Sequence, residues 1–320
     1  MLPHDGLFAC PICKAPLEHT AGGLSCSNDP CGSTFPIVDG RPVLINESNS
    51  LFRIADYQQA EPASVEWASR KRSMLDRVRQ FVPSVSANFV AERNLREVAR
   101  MIGAKASPHV LIVGAGEKGV GIGALDEVSG IRQFRTDVYI GENIDAVADA
   151  HDLPFLEGSF DAVVIQAVLE HVLDPYRCVA EIHRVLKPGG VVYADTPFLW
   201  PVHMGPHDFS RFSRSGHRRL FRYFTELDSG MSAGPAVGLV LSIRGFFCGL
   251  SNSRLMSGFV TYILPFFIFW IKYLDRLMLN KPSAADFAAA FYFVGERAEE
   301  PVNDDEIIRH HWSRHEPEQA

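Results

Sequence analysis

Val110-Leu111-Ile112-Val113-Gly114-Ala115-Gly116-Glu117-Lys118-Gly119-Val120-Gly121-Ile122-Gly123 is the stretch that decides the fold. Its first four residues are an unbroken apolar run, the pattern of a strand buried on both faces of a parallel sheet. Glycines follow at 114, 116, 119, 121 and 123. They let the backbone turn sharply and approach a ligand closely. A strand, a glycine loop and then a helix form the layout by which an α/β sheet holds a nucleotide-like cofactor at its strand ends.

Outward from this loop the pattern alternates. Asp137-Val138-Tyr139-Ile140 reads as a short strand, Val147-Ala148-Asp149 as another and Phe160 to Ile165 as a third. Asp174 to Leu186 places Cys178, Val179, Ile182, Val185 and Leu186 at helical spacing, and Lys187-Pro188-Gly189-Gly190 stops it. Gly190 to Ala194 is the next buried strand, and Ala288 to Glu296 the last, antiparallel one. Upstream, Phe89 to Ile102 carries Leu95, Val98, Ala99 and Ile102 on one stripe, a helix packed beside the first strand and ended by Gly103. Strands separated by helical crossovers imply a doubly wound, mostly parallel sheet, so the fold class is α/β.

Gly114-x-Gly116-x-x-Gly119 with Asp137 about twenty residues on matches a dinucleotide fingerprint, a pattern that nicotinamide enzymes and methyltransferases both approach. The text that follows separates them. AHDLPFLEGSFDAVVIQAVLEHVLDPYRCVAEIHRVLKPGGVVYADTPF resembles the S-adenosylmethionine-dependent methyltransferases of the seven-stranded Rossmann-like, type 11 group. The resemblance runs from about residue 108 to 225, with weaker cover to the last strand. It implies a cofactor site of Gly114, Ala115, Gly116, Glu117, Asp137, Asp149, Ala150, Gln166 and Ala167. In that site Asp137 accepts from the ribose hydroxyls, a bidentate task suited to a carboxylate. Asp149 and Ala150 meet the adenine, and Gln166 and Ala167 line the reactive methyl. One position departs from the family: Ile112 stands where an acid usually helps organise the cofactor's amino-acid end, and Glu117 is the candidate substitute.

Methyl transfer needs alignment and, for a hydroxyl or amine acceptor, a base. His171, His203, His207 and Asp208 are the catalytic candidates, with Glu170 beside them. Histidine titrates near neutral pH, so a His–Asp neighbour pair in the loop after the fifth strand suits a general base. A metal is the alternative use of the same histidines. Arg211 to Arg222 includes a helix from Ser215 to Phe224. Its arginines form a solvated face, or else Arg211 and Arg214 hold an anionic acceptor.

Of six cysteines, four fall in the first 31 residues: Cys10, Cys13, Cys26 and Cys31. Two pairs on short turns suit one tetrahedral zinc in a segment too small to have its own core, and they fit a reducing compartment better than a disulfide framework does. LFACPICKAPLEHTAGGLSCSNDPCGSTFPIVDGRPVLI resembles the zinc ribbon of tRNA-methyltransferase activator subunits over residues 7 to 45. Its second cysteine pair is wider than usual. Four thiolates leave no open position, so the zinc is structural.

The chain has 320 residues and a formal charge of −7 without a long basic run, which disfavours a nucleic-acid partner. No basic region or apolar core marks a secretion signal at the N-terminus. From 236 to 279 two apolar runs of about fifteen residues each are shorter than the roughly twenty a bilayer span needs. They read as extra core helices, as an interfacial membrane anchor, or as the wall of a tunnel for a lipid-like acceptor. The organisation is thus 1–47 ribbon, 48–88 linker and polar helix, 89–235 methyltransferase core, 236–286 apolar insert, 287–298 last strand and 299–320 tail. The expected function is S-adenosylmethionine-dependent methyl transfer to a small-molecule or lipid-linked acceptor in the cytoplasm, with peripheral membrane contact through 236–279. The rivals are an rRNA or tRNA base methyltransferase that grips RNA with the ribbon, Lys14, Arg41 and the 70–79 helix, and a catalytically degenerate cofactor-binding adaptor.

Overall fold

A computed structural model describes residues 5–58 and 80–313. Most of the expected polar helix before Val82 lies outside them. The ribbon strands are β1 (Leu17–Thr20), β2 (Gly23–Cys26), β3 (Thr34–Phe35), β4 (Ile37–Val38) and β5 (Arg41–Leu44). Then come β6 (His109–Val113), β7 (Arg132–Asp137), β8 (Ala146–Ala148), β9 (Phe160–Gln166), β10 (Leu186–Pro197), β11 (Phe224–Ala233) and β12 (Ala290–Arg297).

The apolar run that opens the glycine stretch is β6, with β9 and β7 parallel on either side of it. The full order is β11-β12-β10-β9-β6-β7-β8-β5-β4, and β12 runs antiparallel between β10 and β11. Successive side chains of a strand point to opposite faces. Val110 and Ile112 therefore join the core beneath helix α1 (Ala91–Gly103), where Leu95, Val98, Ala99 and Ile102 are buried. Leu111 and Val113 face the opposite core with Cys178, Val179, Ile182 and Val185 of helix α2 (Pro175–Val185). Both faces are covered, which is why β6 is apolar throughout. Asp174 caps α2 by accepting from Arg177 N–H at 3.0 Å, and Pro175 occupies its first turn. The Lys187-Pro188-Gly189-Gly190 turn ends the crossover with a register shift in β10.

Three local expectations are corrected. The second strand is Arg132–Asp137, with Asp137 at its end rather than its start. Phe134 and Thr136 are buried in alternation with polar residues, so no apolar run marks this strand. The glycine loop leads into a 3-10 segment, Ile122–Glu127, instead of an α-helix, because closely spaced glycines disfavour helix formation. The helix expected over 215–224 is α3 (Arg214–Leu220), capped by Ser213, and Phe221 and Phe224 are buried beyond its end.

The ribbon joins the larger sheet directly. β5 pairs in parallel with β8, Val43 opposite Val147 and Leu44 opposite Ala148. Phe8 stacks on Phe155 at 6.0 Å and meets Phe134 edge-on at 5.5 Å, so aromatic burial seals the joint. The apolar segment forms α4 (Pro235–Leu250) and α5 (Arg254–Leu277). By length and composition α5 alone among the described helices is long and apolar enough to cross a membrane, which the two separate fifteen-residue runs did not suggest. Asp304–Ser313, in the segment expected to be a loose tail, is helical and is tied to α3 by Arg219 and Asp304 at 3.1 Å.

Candidate functional site

The glycine loop, Asp137, Asp149 and Gln166 sit at the C-terminal ends of β6, β7, β8 and β9, the edge where doubly wound sheets bind ligands. They open on a cavity of about 890 Å³. It is lined by Gly114, Gly116, Glu117, Asp137, Asp149, Ala150, Gln166 and Ala167 at one end, and by His171, His203 and His207 at the other. Ala115 is buried behind it and Asp208 stands outside the lining.

The loop fits a close-lying cofactor. Gly114 has φ +78°, and a Cβ there would come within 2.2 Å of the Val168 side chain. At Gly116 a Cβ would lie 2.9 Å from Asp137 Oδ2, so only glycine lets the loop touch that carboxylate. Asp137 Oδ2 accepts from Gly116 N–H at 2.8 Å and Oδ1 from Tyr139 N–H at 2.9 Å. Each oxygen keeps a lone pair for a ligand hydroxyl. Burial pushes the Asp137 pKa up, and the backbone N–H bonds oppose the shift. Ile112 is buried on the cavity wall, and Glu117 lines the same region.

Asp149 is more engaged than its expected adenine contact requires. Oδ1 meets His151 Nδ1 at 2.6 Å and accepts its N–H at 3.0 Å, while Oδ2 accepts from Ser50 at 2.6 Å. Burial raises its pKa, yet these bonds outweigh burial and hold it below the usual carboxylate range. Gln166 donates to Val120 O at 3.1 Å, and Ala167 holds a left-handed conformation at φ +52°. An alanine so placed stores strain at the cavity wall.

At the far end, His171 Nε2 and His203 Nε2 face each other at 3.1 Å. His171 Nδ1 lies 2.6 Å from the carbonyl of His207, so His207 helps orient His171 through its backbone. Asp208 accepts from His203 N–H at 2.8 Å and lies 3.3 Å from its Nδ1. Arg211 pairs with Asp208 through Nη1 and Nη2 and drives its pKa down to about 2. Arg211 also donates to Trp200 and Pro201 carbonyls, so it straps the loop instead of waiting for an anionic acceptor.

Asp195 is a site residue that sequence reading missed. It interrupts the buried run of β10 between Ala194 and Thr196, stands on the cavity wall, and accepts from Asn88 at 2.7 Å and Ser232 at 3.0 Å. Burial raises its pKa to about 7 despite those donors. Its one signal is an acid closing an apolar strand, Val191 to Asp195.

The four cysteine sulfurs lie within 4.8 Å of one another, with Cys13–Cys26 at 3.3 Å and Cys10–Cys31 at 3.8 Å. Tetrahedral zinc with bonds of about 2.3 Å needs sulfur separations near ~3.8 Å. A backbone bond from Ala15 lowers the Cys13 pKa to about 6, whereas burial raises those of Cys10 and Cys26, so these thiols are left to the metal to deprotonate. This donor set fits structural zinc.

Fold and site together define a doubly wound, Rossmann-like sheet with a glycine-loop pocket at its strand ends and a four-cysteine ribbon added at its edge. Residues 131–194 match the methyltransferase domain family and residues 7–40 the Trm112p-like protein family. An uncharacterized chloroplastic methyltransferase of Arabidopsis thaliana is 45% identical over 76 residues, 24% of this chain and 20% of that protein. A ubiquinone biosynthesis O-methyltransferase of Pseudomonas syringae pv. tomato is 28% identical over 198 residues, 51% of this chain and 80% of that one. The chain thus spans about a fifth of the length of the first curated relatives it matches. A putative sarcosine dimethylglycine methyltransferase from Galdieria sulphuraria superposes with a TM-score of 0.45 at 16% identity, covering 66% of this chain and 86% of that one.

Proposed function

We propose that this chain transfers a methyl group from S-adenosylmethionine to a small-molecule or lipid-linked acceptor in the cytoplasm. The observation that carries the reading is one cavity extending from Asp137 and the glycine loop to His171, His203 and Asp195. Bound S-adenosylmethionine supplies an electrophilic methyl on a sulfonium. Asp137 holds the ribose hydroxyls, Gly114 and Gly116 admit the methionine portion, and Asp149 with Ala150 borders the adenine. Gln166 and Ala167 flank the methyl. His171 and His203 orient the acceptor, positioned by His207 and Asp208. Asp195 would take the acceptor's proton as the methyl is transferred, a task for which a pKa of about 7 is well matched.

The O-methyltransferase name of the Pseudomonas relative supports an oxygen acceptor of quinone type. Of the local patch that the RNA reading invokes, the 70–79 helix lies outside the described residues. Lys14 pairs with Glu181 at 2.8 Å, and Arg41 donates to the Ile144 carbonyl at 2.8 Å, so both join ribbon to core. Isothermal titration with S-adenosylmethionine tests the assignment. Micromolar binding is expected, weakened at least tenfold in Asp137→Ala, and no heat at millimolar ligand would end it. Binding without turnover on any oxygen, nitrogen or carbon acceptor of a broad panel would favour the adaptor.

A further inference from the structure

Glu170 follows β9 and is 1% exposed, yet neither carboxylate oxygen has a hydrogen-bond partner. A buried carboxylate without donors is costly unless a cation neutralises it. Its Oε1 lies 3.7 Å from His171 Nε2 and 3.7 Å from His203 Nε2.

The histidine tautomers follow from their other nitrogens. His171 Nδ1 faces the His207 carbonyl, which only accepts, so Nδ1 carries the hydrogen and Nε2 a lone pair. His203 Nδ1 lies 3.3 Å from both Asp208 Oδ2 and the Pro201 carbonyl, again acceptors. Its Nε2 is left with a lone pair too. With both rings neutral, three lone-pair atoms thus converge. A proton shared between the two Nε2 atoms would satisfy the 3.1 Å contact but leave Glu170 unpartnered.

From these observations we infer that Glu170, His171 and His203 bind a divalent transition-metal ion at the acceptor end of the cavity. A point equidistant from the three donor atoms lies about 2.0 Å from each, given sides of 3.1, 3.7 and 3.7 Å. Metal bonds to imidazole and carboxylate run to about 2.0–2.2 Å. The Asp208 and His207 contacts are the outer bonds that fix the tautomers of metal-bound histidines. Phe209 and Ser210 N–H both donate to the Glu170 carbonyl, at 2.8 and 3.2 Å, so the loop bearing His203 is fastened to the turn bearing the other two ligands. His171 and His203 line the cavity, so the remaining coordination positions open onto it. An acceptor oxygen placed there would be held and acidified by the ion. This deepens the methyl-transfer reading and rests on it for the identity of the ligand, although the metal site itself does not.

The test is an electron paramagnetic resonance titration of zinc-loaded protein with Mn²⁺, an ion that does not compete for thiolates. About one Mn²⁺ per chain is expected in the wild type, with affinity falling at least tenfold in both Glu170→Gln and His203→Asn. S-adenosylhomocysteine titration and a thermal melt on the same samples report folding, and His203→Asn, on the cavity loop, carries the readout if Glu170→Gln disturbs the core. Wild type that binds S-adenosylhomocysteine but no Mn²⁺ overturns the metal site and leaves the transfer reading standing. Undiminished Mn²⁺ binding in folded variants overturns it as well. Mn²⁺ bound in wild type and lost in the variants, without S-adenosylhomocysteine binding, upholds the metal site and defeats the transfer reading.

Discussion

Asp195 separates general-base catalysis from simple binding more sharply than any other residue of the cavity. It stands at the acceptor end, and burial holds its pKa near 7 against the donors Ser232 and Asn88. A base must be deprotonated to act. Turnover on a hydroxyl acceptor should therefore rise with pH through about 7 and level off above it. Asp195→Asn should lower kcat by about 10²- to 10³-fold and flatten that limb. Affinity for S-adenosylmethionine should stay within about twofold, because Asp137, at the other end of the cavity, is untouched. A steady-state pH profile of both proteins decides the matter, and an unchanged profile in the variant removes Asp195 from the chemistry. The cofactor end was legible beforehand because glycines at fixed spacing and an acid about twenty residues on announce a close backbone approach. Asp195 was not, because its significance lies in partners far away in sequence, and Glu170 was visible only as a neighbour of the histidines. Asn88 is 107 residues distant and Ser232 is 37. Nothing local says that Glu170 will be buried without a donor.

Among the elements, α4 and α5 depend on one carboxylate. Asp275 of α5 is fully buried and accepts N–H bonds from Gly234, Ala236 and Val237 at 2.9, 2.8 and 3.2 Å. It caps the start of α4 from another helix, satisfying donors that a helix N-terminus leaves open. Asp275→Ala should cost about 2–4 kcal/mol, since it strands three buried N–H groups. Asn should recover part of that loss, being a good cap without the charge. Urea unfolding of the two variants measures the difference, and a loss below about 0.5 kcal/mol for Ala would show that the cap is dispensable. The strands were read from apolar runs wherever both faces are covered, as in β6 and β9. β7 escaped because its burial alternates, Phe134 and Thr136 inward among charged neighbours. The length of α5 escaped because Pro265 and a π-turn over Phe259–Ile263 lie inside one continuous helical stretch.

At the scale of the molecule, two additions frame the doubly wound sheet. The ribbon covers the outer edge of β8 with β5, which removes an exposed strand edge. On the other side α4 and α5 pack against Ala233, Ala290 and Trp200, three residues that also line the cavity. Lys272 of α5 donates to the Ser84 carbonyl at 2.6 Å, and Ser84 is on the cavity rim. The outer faces of these helices are apolar and exposed: Phe246, Leu255, Phe267 and Leu277 are 63, 88, 68 and 69% accessible. Lys272 and Asp275 are bonded into the protein body at the far end of α5. We propose that these exposed apolar faces lie on a lipid surface and present the cavity to a lipid-linked acceptor. With a net charge of −7, the drive must be apolar rather than electrostatic. Flotation with zwitterionic vesicles should carry the protein upward, with little change between low and high salt and no gain from anionic lipid. Each large apolar side chain moved into lipid contributes about 1.5–3 kcal/mol. Phe267→Glu with Leu277→Glu should therefore lower partitioning by well over ~tenfold without altering S-adenosylmethionine binding. Protein that stays at the bottom of the gradient with every vesicle composition would remove the membrane and favour a water-soluble acceptor.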